Sequence, residues 1–144
     1  MNDLQNVLHS CNSIGKDIKA VLKASTYIEY DDLSGLQIDY EDPEQMLLLE
    51  ELRGIMDKLS DAYTGIEYLN SVVKHHGVLH RNRRGRYESA SKEYTCGSSI
   101  EAFVYDHAAG CSRWVKTRVE HNGMDYYLVR WPDVPMQELK VRER

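Results

Sequence analysis

The side chains with the greatest chemical reach in this chain are clustered arginines and clustered carboxylates. HRNRRGRYE, residues 80–88, sets Arg81, Arg83, Arg84 and Arg86 within six positions. Grouped guanidinium ions are the chemistry of phosphate contact, through bidentate donors and salt-sensitive counterion release. YIEYDDLSGLQIDY, residues 27–40, has the opposite sign: Glu29, Asp31, Asp32 and Asp39, then Glu41 and Asp42, make it the most acidic stretch. Such a segment is suited to docking on a basic partner, and Glu29, Asp31, Asp32, Asp39 and Glu41 are the candidate partner-binding residues.

Catalysis finds no anchor. The sequence contains no GxSxG elbow, Walker loop, GxGxxG or HExxH, each of which would place a nucleophile, phosphate cradle or metal by a known geometry. Asp31-Asp32 and Glu50-Glu51 are adjacent carboxylates, but sequence neighbours point in different directions and do not form an acid–base pair. His75, His76, His80, His107, Cys96 and Cys111 are metal-ligating types. Their spacing lacks the close pair that anchors a tetrahedral zinc site, and the histidines read instead as partners for a helix end. The expectation is a protein with no catalytic residues, no cofactor and no metal.

The elements that must carry these groups follow from periodicity. Leu4, Val7, Cys11, Ile14, Ile18 and Val21 recur at spacings of 3 and 4, a heptad seam on a first helix capped by Asn2. Leu48, Leu52, Ile55, Leu59, Ala62, Ile66, Leu69 and Val73 continue the pattern on a longer second helix. Leu49, Met56 and Tyr63 form a flanking row beside that seam. Asp42, Pro43 and Gln45 start it as N-cap, first residue and capping-box partner. His75, His76 and Gly77 predict its end. Between the helices, Ile28 and Tyr30, then Leu36, Ile38 and Tyr40, alternate around DDLSG, which predicts a β-hairpin over 27–40.

Beyond Gly77 the period becomes two. Strands are predicted at 77–80, 86–89, 99–105, 113–121, 124–131 and 139–143, the arginine cluster forming the first turn with Gly85 at a positive φ. Along 113–121, Val115, Thr117 and Val119 face a core while Trp114, Lys116, Arg118 and Glu120 face out; Ile100, Ala102 and Val104 face in, leaving Phe103 and Tyr105 outside. An outward row of Trp114, Phe103 and Tyr105 with nearby cations is a platform on which single-stranded nucleic acid can stack, unless the long helix covers it. The fold class is therefore α+β: a helical hairpin with a β-hairpin insertion over 1–76, then an SH3-like antiparallel barrel over 77–144.

The bulk numbers fit this division. Of the formal charge of −5, residues 26–73 carry −10 and residues 74–144 carry +4. Apolar residues make up 42% of the chain and charged residues 28%, the balance of an ordinary globular protein. The opening MNDLQNVLHS has neither the basic start nor the apolar core of a secretion signal, no run approaches a membrane span, and three scattered cysteines argue against a disulfide framework. A cytoplasmic location is expected, with no membrane contact. Apolar seam in excess of what the short helix covers predicts a homodimer.

GVLHRNRRGRYE (77–88), CGSSIE (96–101), WVKTRVEH (114–121), DYYL (125–128) and PMQELKVR (135–142) together resemble an uncharacterised module carried by small proteins of Firmicutes, their phages and mobile elements. A looser similarity runs to Tudor-like barrels through YYLVRWPD. The first resemblance implies a setting in mobile elements, and through it a protein-binding inhibitor of host defence machinery, anti-CRISPR-like, whose acidic surface occupies the basic channel of a nuclease. The alternative is a nucleic-acid-binding accessory protein using Arg81, Arg83, Arg84 and Arg86 with Trp114, Lys116 and Arg118. A third class is a structural subunit of a mobile-element complex.

Overall fold

The computed structural model describes residues 3–90 and 92–144. It divides into two compact units, Met1–Ser71 and Val72–Arg144. The architecture is α+β, with helices followed by antiparallel sheets.

The first unit holds α1 (Leu4–Ala24), the short α2 (Tyr27–Tyr30) and α3 (Pro43–Asn70). The expected cap Asn2 lies outside the described residues. Asp3 caps α1, its Oδ1 accepting from the Asn6 N–H at 2.9 Å. At the start of α3, Asp42 accepts from the Glu44 N–H at 2.9 Å and Pro43 occupies the first turn, as expected from their types. Gln45 does not close the box onto Asp42's own amide. Its Oε1 accepts from the Asp39 N–H at 2.9 Å, tying the preceding loop to the helix.

α1 and α3 run antiparallel. The Asn12 and Asn70 amides exchange hydrogen bonds of 2.7 and 3.2 Å, and the Ser25 hydroxyl lies 3.5 Å from the Met56 sulfur. Gly15 lets the helices close up, since a β-carbon there would sit 3.4 Å from Ile66. The core is Ile18, Leu22, Leu33, Leu49 and Met56, flanked by Tyr27, Ile38, Met46, Leu52, Leu59, Tyr63 and Ile66.

Three expectations need correction. The packing faces are rotated from the expected seams: Leu49 and Met56, expected in a flanking row, are buried in the core with half-buried Tyr63 packed against it, while Val7, Ile14, Val21, Leu48 and Ile55 remain exposed. Residues 27–40 do not form a β-hairpin. A free two-stranded ribbon is marginal, and here Leu33, expected in the turn, is instead buried against the helices at 1% exposure. Left-handed Thr26 and Asp31 bracket α2, and side chains replace the strand ladder, with Asp32 accepting from the Ser34 N–H at 2.7 Å and Asp39 from the Glu41 N–H at 3.0 Å. Finally, α3 stops at Asn70 rather than near His76. The Ser71 hydroxyl and N–H both bond the Glu67 carbonyl, and β-branched Val72 and Val73 follow. His75 and His76 thus enter a strand instead of capping a helix, and the joint between the units falls at Ser71–Val72.

The second unit contains β1 (His75–Val78), β2 (His80–Arg81), β3 (Tyr87–Ser89), β4 (Lys92–Tyr94), β5 (Ser99–Asp106), β6 (Cys111–His121), β7 (Tyr126–Leu128) and β8 (Lys140–Glu143). They pair antiparallel in a five-stranded sheet of order β1-β8-β5-β6-β7 and a three-stranded sheet β2-β3-β4. Strand β4 lies outside the strands that alternation predicts, because KEY is too short to show a period of two. Ile100, Ala102, Val104, Val115, Val119, Leu128 and Val141 bury their side chains in one core with Leu79, Tyr87, Tyr94 and Met136. Of the inward positions read from alternation on β5 and β6, Ile100, Ala102, Val104, Val115 and Val119 are buried and Thr117 is half-buried, while Glu101 is buried on the other face. Among the described residues, no helix is long and apolar enough to cross a membrane.

Candidate interaction surfaces

The loop from Thr26 to Asp42 carries the five acidic candidates. Glu29, Asp31, Asp39 and Glu41 are exposed and Asp32 is half-buried. Asp32 is pulled below the usual carboxylate range by hydrogen bonds from Ser34. It and Asp39 fix the loop's shape, leaving Glu29, Asp31 and Glu41 facing solvent. Apolar and aromatic groups stand among them: Ile28, Tyr30 and Tyr40 are each at least half exposed, and Leu36 is 39% exposed. Tyr27 anchors the loop's first turn by donating its hydroxyl to Asp57, which pushes the tyrosine pKa up to about 12. Carboxylates interleaved with tyrosine and isoleucine combine electrostatic steering with aromatic anchors, the composition of a protein-binding patch.

The arginine turn is ordered around Asn82. Its Oδ1 accepts from the Arg84 and Arg86 amides at 2.9 and 3.1 Å, its own N–H bonds the Arg86 carbonyl at 2.7 Å, and Gly85 takes φ +75. The guanidinium groups are largely compensated. Arg86 lies 2.8 Å and Arg84 3.7 Å from Glu93, and Arg81 lies 3.5 Å from Asp125. Of the four, Arg83 alone has no carboxylate partner among the described residues. A phosphate arriving here would compete with Glu93 and Asp125, which weakens the counterion-release term.

Glu93 is held below the usual carboxylate range, chiefly by its hydrogen bond from Arg86. A depressed folded-state pKa adds stability that is fully present above the unfolded value of about 4.3 and is lost as pH falls through the folded value. Glu93→Gln is therefore expected to lower the thermal midpoint at neutral pH, and the gap from wild type should narrow as the pH falls below the unfolded value of about 4.3. Thermal melts followed by circular dichroism across that range measure it.

Trp114 lies on the outer face of the five-stranded sheet, opposite Phe103, with ring centroids 5.3 Å apart. Arg142 stacks over the Trp114 ring at 4.1 Å, and Lys140 stands 5.5 Å from Phe103 and 5.8 Å from Trp114. Phe103 is 37% and Tyr105 51% exposed. The row read from sequence is thus assembled, and it gains Lys140 and Arg142, which only the β8–β5 pairing could reveal. Beneath the cations, Glu101 is buried and receives Arg142 at 3.1 and 3.3 Å and Arg144 at 2.9 Å. Lys116 and Arg118 line a cleft of about 300 Å³ with Arg130 and Ser99, and the strand register sets Lys116 opposite Glu101. The structure does not bring them to the arginine turn. A second cleft, of about 360 Å³, is lined by Tyr87, Asp125, Tyr126, Tyr127, Pro132 and Asp133 among others. Sequence reading missed it, although the paired tyrosines before PDVP were its visible trace.

Residues 77–142 match the family model of a domain of unknown function, DUF5348. The matched stretch begins inside β1 and ends at Arg142 in β8, so it takes in the arginine turn, the Trp114 face and the two clefts described above, and leaves the helical unit unmatched. No curated protein and no solved structure matches the chain.

Proposed function

We propose that this is a non-enzymatic protein-binding protein whose docking surface is the acidic segment from Thr26 to Asp42, α2 included. The observation that carries the reading is the set of exposed carboxylates Glu29, Asp31, Asp39 and Glu41 interleaved with exposed Ile28, Tyr30 and Tyr40. Across residues 26–73, only Arg53 and Lys58 oppose twelve acidic groups, so the surface favours a partner with a concentrated basic patch. In this reading the C-terminal module is an SH3-like unit of a phage or mobile-element protein, the chain works in the cytoplasm, and the target is host defence machinery: a CRISPR nuclease whose nucleic-acid channel the loop occupies.

The test is competition. Added to a guide-loaded CRISPR nuclease from a Firmicute host, the protein should reduce target-DNA binding in a gel-shift assay. The variant carrying Glu29→Gln, Asp31→Asn, Asp39→Asn and Glu41→Gln should need roughly 100-fold more protein for the same effect. Undiminished DNA binding and cleavage by such nucleases in excess wild-type protein would sink the reading.

A second reading is favoured by one arrangement, the exposed Phe103 and Tyr105 beside Trp114 and its stacked cations. It makes the chain a nucleic-acid accessory protein, with single-stranded bases stacking on the sheet. That reading requires affinity for an oligonucleotide that falls steeply with salt and drops with Phe103→Ala. The acidic-loop reading requires neither.

A further inference from the structure

The five-stranded sheet carries, beside the chain that leaves β7, a cleft with three cations in its walls and no acid. It holds about 300 Å³ and is lined by Ser99, Lys116, Thr117, Arg118, Val129 and Arg130. Lys116 and Arg118 are two positions apart on β6, about 7 Å along one face of the strand. Ser99 of β5 is directly opposite Arg118. Two hydrogen bonds hold the chain after β7 against this strand. The Thr117 hydroxyl donates to the Val129 carbonyl at 2.7 Å, and the Val129 N–H donates to the Arg118 carbonyl at 3.0 Å. Arg130 follows at once, and it, Lys116, Arg118 and Ser99 are all exposed.

The carboxylates nearby are already engaged. Glu120 takes the Nε of Arg118 at 3.1 Å, leaving the terminal nitrogens of that guanidinium for a ligand. Glu101, opposite Lys116, is shared by Arg142 and Arg144, whose two charges exceed its own. Arg130 has no carboxylate within ion-pair distance among the described residues.

Arg130 is also held in a costly backbone conformation. The Trp131 N–H bonds the Leu128 carbonyl at 2.9 Å, closing a β-turn in which Arg130 is the third residue, with φ +69. Glycine or asparagine suits that position, and an arginine there carries steric strain. Strain of this kind concentrates where a ligand is held. Grouping like charges without an acid adds self-repulsion to the strain, and a bound anion would relieve it.

We propose that this cleft binds a terminal phosphate group, the dianion of a phosphate monoester, between Lys116, Arg118 and Arg130, with the Ser99 hydroxyl as a further donor. Guanidinium forks present paired donors that match phosphate oxygens. Three cations around one small site match the double charge of a monoester better than the single charge of a diester. The volume is at the small end for ligand pockets, which suits a small phosphate ester or the phosphorylated end of a chain. The site lies in the sheet unit and rests on neither reading of function given above.

The experiment is isothermal titration calorimetry on the full chain at low salt, with ribose 5-phosphate, ribose, and tetrathymidylate with and without a 5′-phosphate. Three charge-assisted contacts should give ribose 5-phosphate a Kd of about 0.1 mM, and ribose should not bind. Arg130→Gly should weaken binding at least about tenfold. The same variant should raise the urea midpoint of the sheet unit, because glycine relieves the turn and one like charge is gone. Trp114 and Trp131 both lie in that unit, so tryptophan fluorescence reads its unfolding. Lys116→Gln should also weaken binding with the fold intact. A 5′-phosphate that tightens tetrathymidylate binding identifies a nucleic-acid end as the source of the phosphate. Ribose 5-phosphate binding with no such gain identifies a free phosphate ester. Absence of ribose 5-phosphate binding at millimolar concentration overturns the proposal, as does binding that both variants leave unchanged.

Discussion

Leu33→Ala is expected to destabilise the helical unit by about 2–5 kcal/mol, the range for removing a buried leucine where the cavity cannot fully collapse. Leu33 is 1% exposed and packs in one cluster with Ile18, Leu22, Leu49 and Met56. It is also the only fully buried side chain described between Thr26 and Asp42. Its loss therefore acts twice. It opens a hole between α1 and α3, and it loosens the loop, whose remaining anchors are the half-buried Tyr27 and Ile38, the Tyr27–Asp57 hydrogen bond and side-chain hydrogen bonds at Asp32, Asp39 and Gln45. Urea denaturation should show the lowered midpoint, and hydrogen exchange should accelerate first over 28–41. If the acidic loop is the docking surface, partner affinity should fall although no carboxylate has changed, because ordering the loop becomes part of the cost of binding. Unchanged exchange in the loop would mean that its shape does not depend on this anchor.

The difference between what the helices and the strands disclosed in sequence has a physical origin. On β5 and β6 the side-chain period is two, so a residue is either in or out, and Ile100, Ala102, Val104, Val115 and Val119 could be assigned to the core without knowing the partner strand. On a helix, residues at 3 and 4 spacing fill an arc, and which part of that arc turns inward depends on the neighbour. Leu48-Leu52-Ile55-Leu59 and Leu49-Leu52-Met56-Leu59 are equally good stripes, and the antiparallel fit around Gly15 selects the second. The loop 27–40 alternated correctly for a hairpin, but alternation records only which residues are apolar. It does not record that Leu33 has a helical pocket to enter.

The same limit applies to the surfaces. The arginine cluster was visible as a run of like charge, yet its compensation by Glu93 and Asp125 arises from β3–β4 pairing and from a turn some forty residues away. Trp114 was legible as outward-facing. The cations stacked on it come from β8 and could not be placed beside it from spacing alone.

Glu101→Ala should be the most damaging single substitution in the sheet unit, costing about 3–5 kcal/mol, the range for breaking a buried ion pair by removing one partner. Glu101 is 6% exposed and is the one buried charged residue among those described. It accepts from Arg142 and Arg144 through both carboxylate oxygens. Without it, two mostly buried guanidinium groups lose the carboxylate they share, on a face that already carries Lys140 and His76 close to the same rings. Arg142→Ala should also be costly, for a different reason: it leaves half of the carboxylate's partners and removes the cover from Trp114 at 4.1 Å. Glu101→Ala combined with Arg142→Ala should then lose clearly less than the sum of the two, because the second deletion removes a charge that the first left stranded. Chemical denaturation of the four proteins closes the cycle. Additive losses would mean that Arg142 stabilises the sheet by packing on Trp114 alone, with Glu101 contributing only its own desolvation cost.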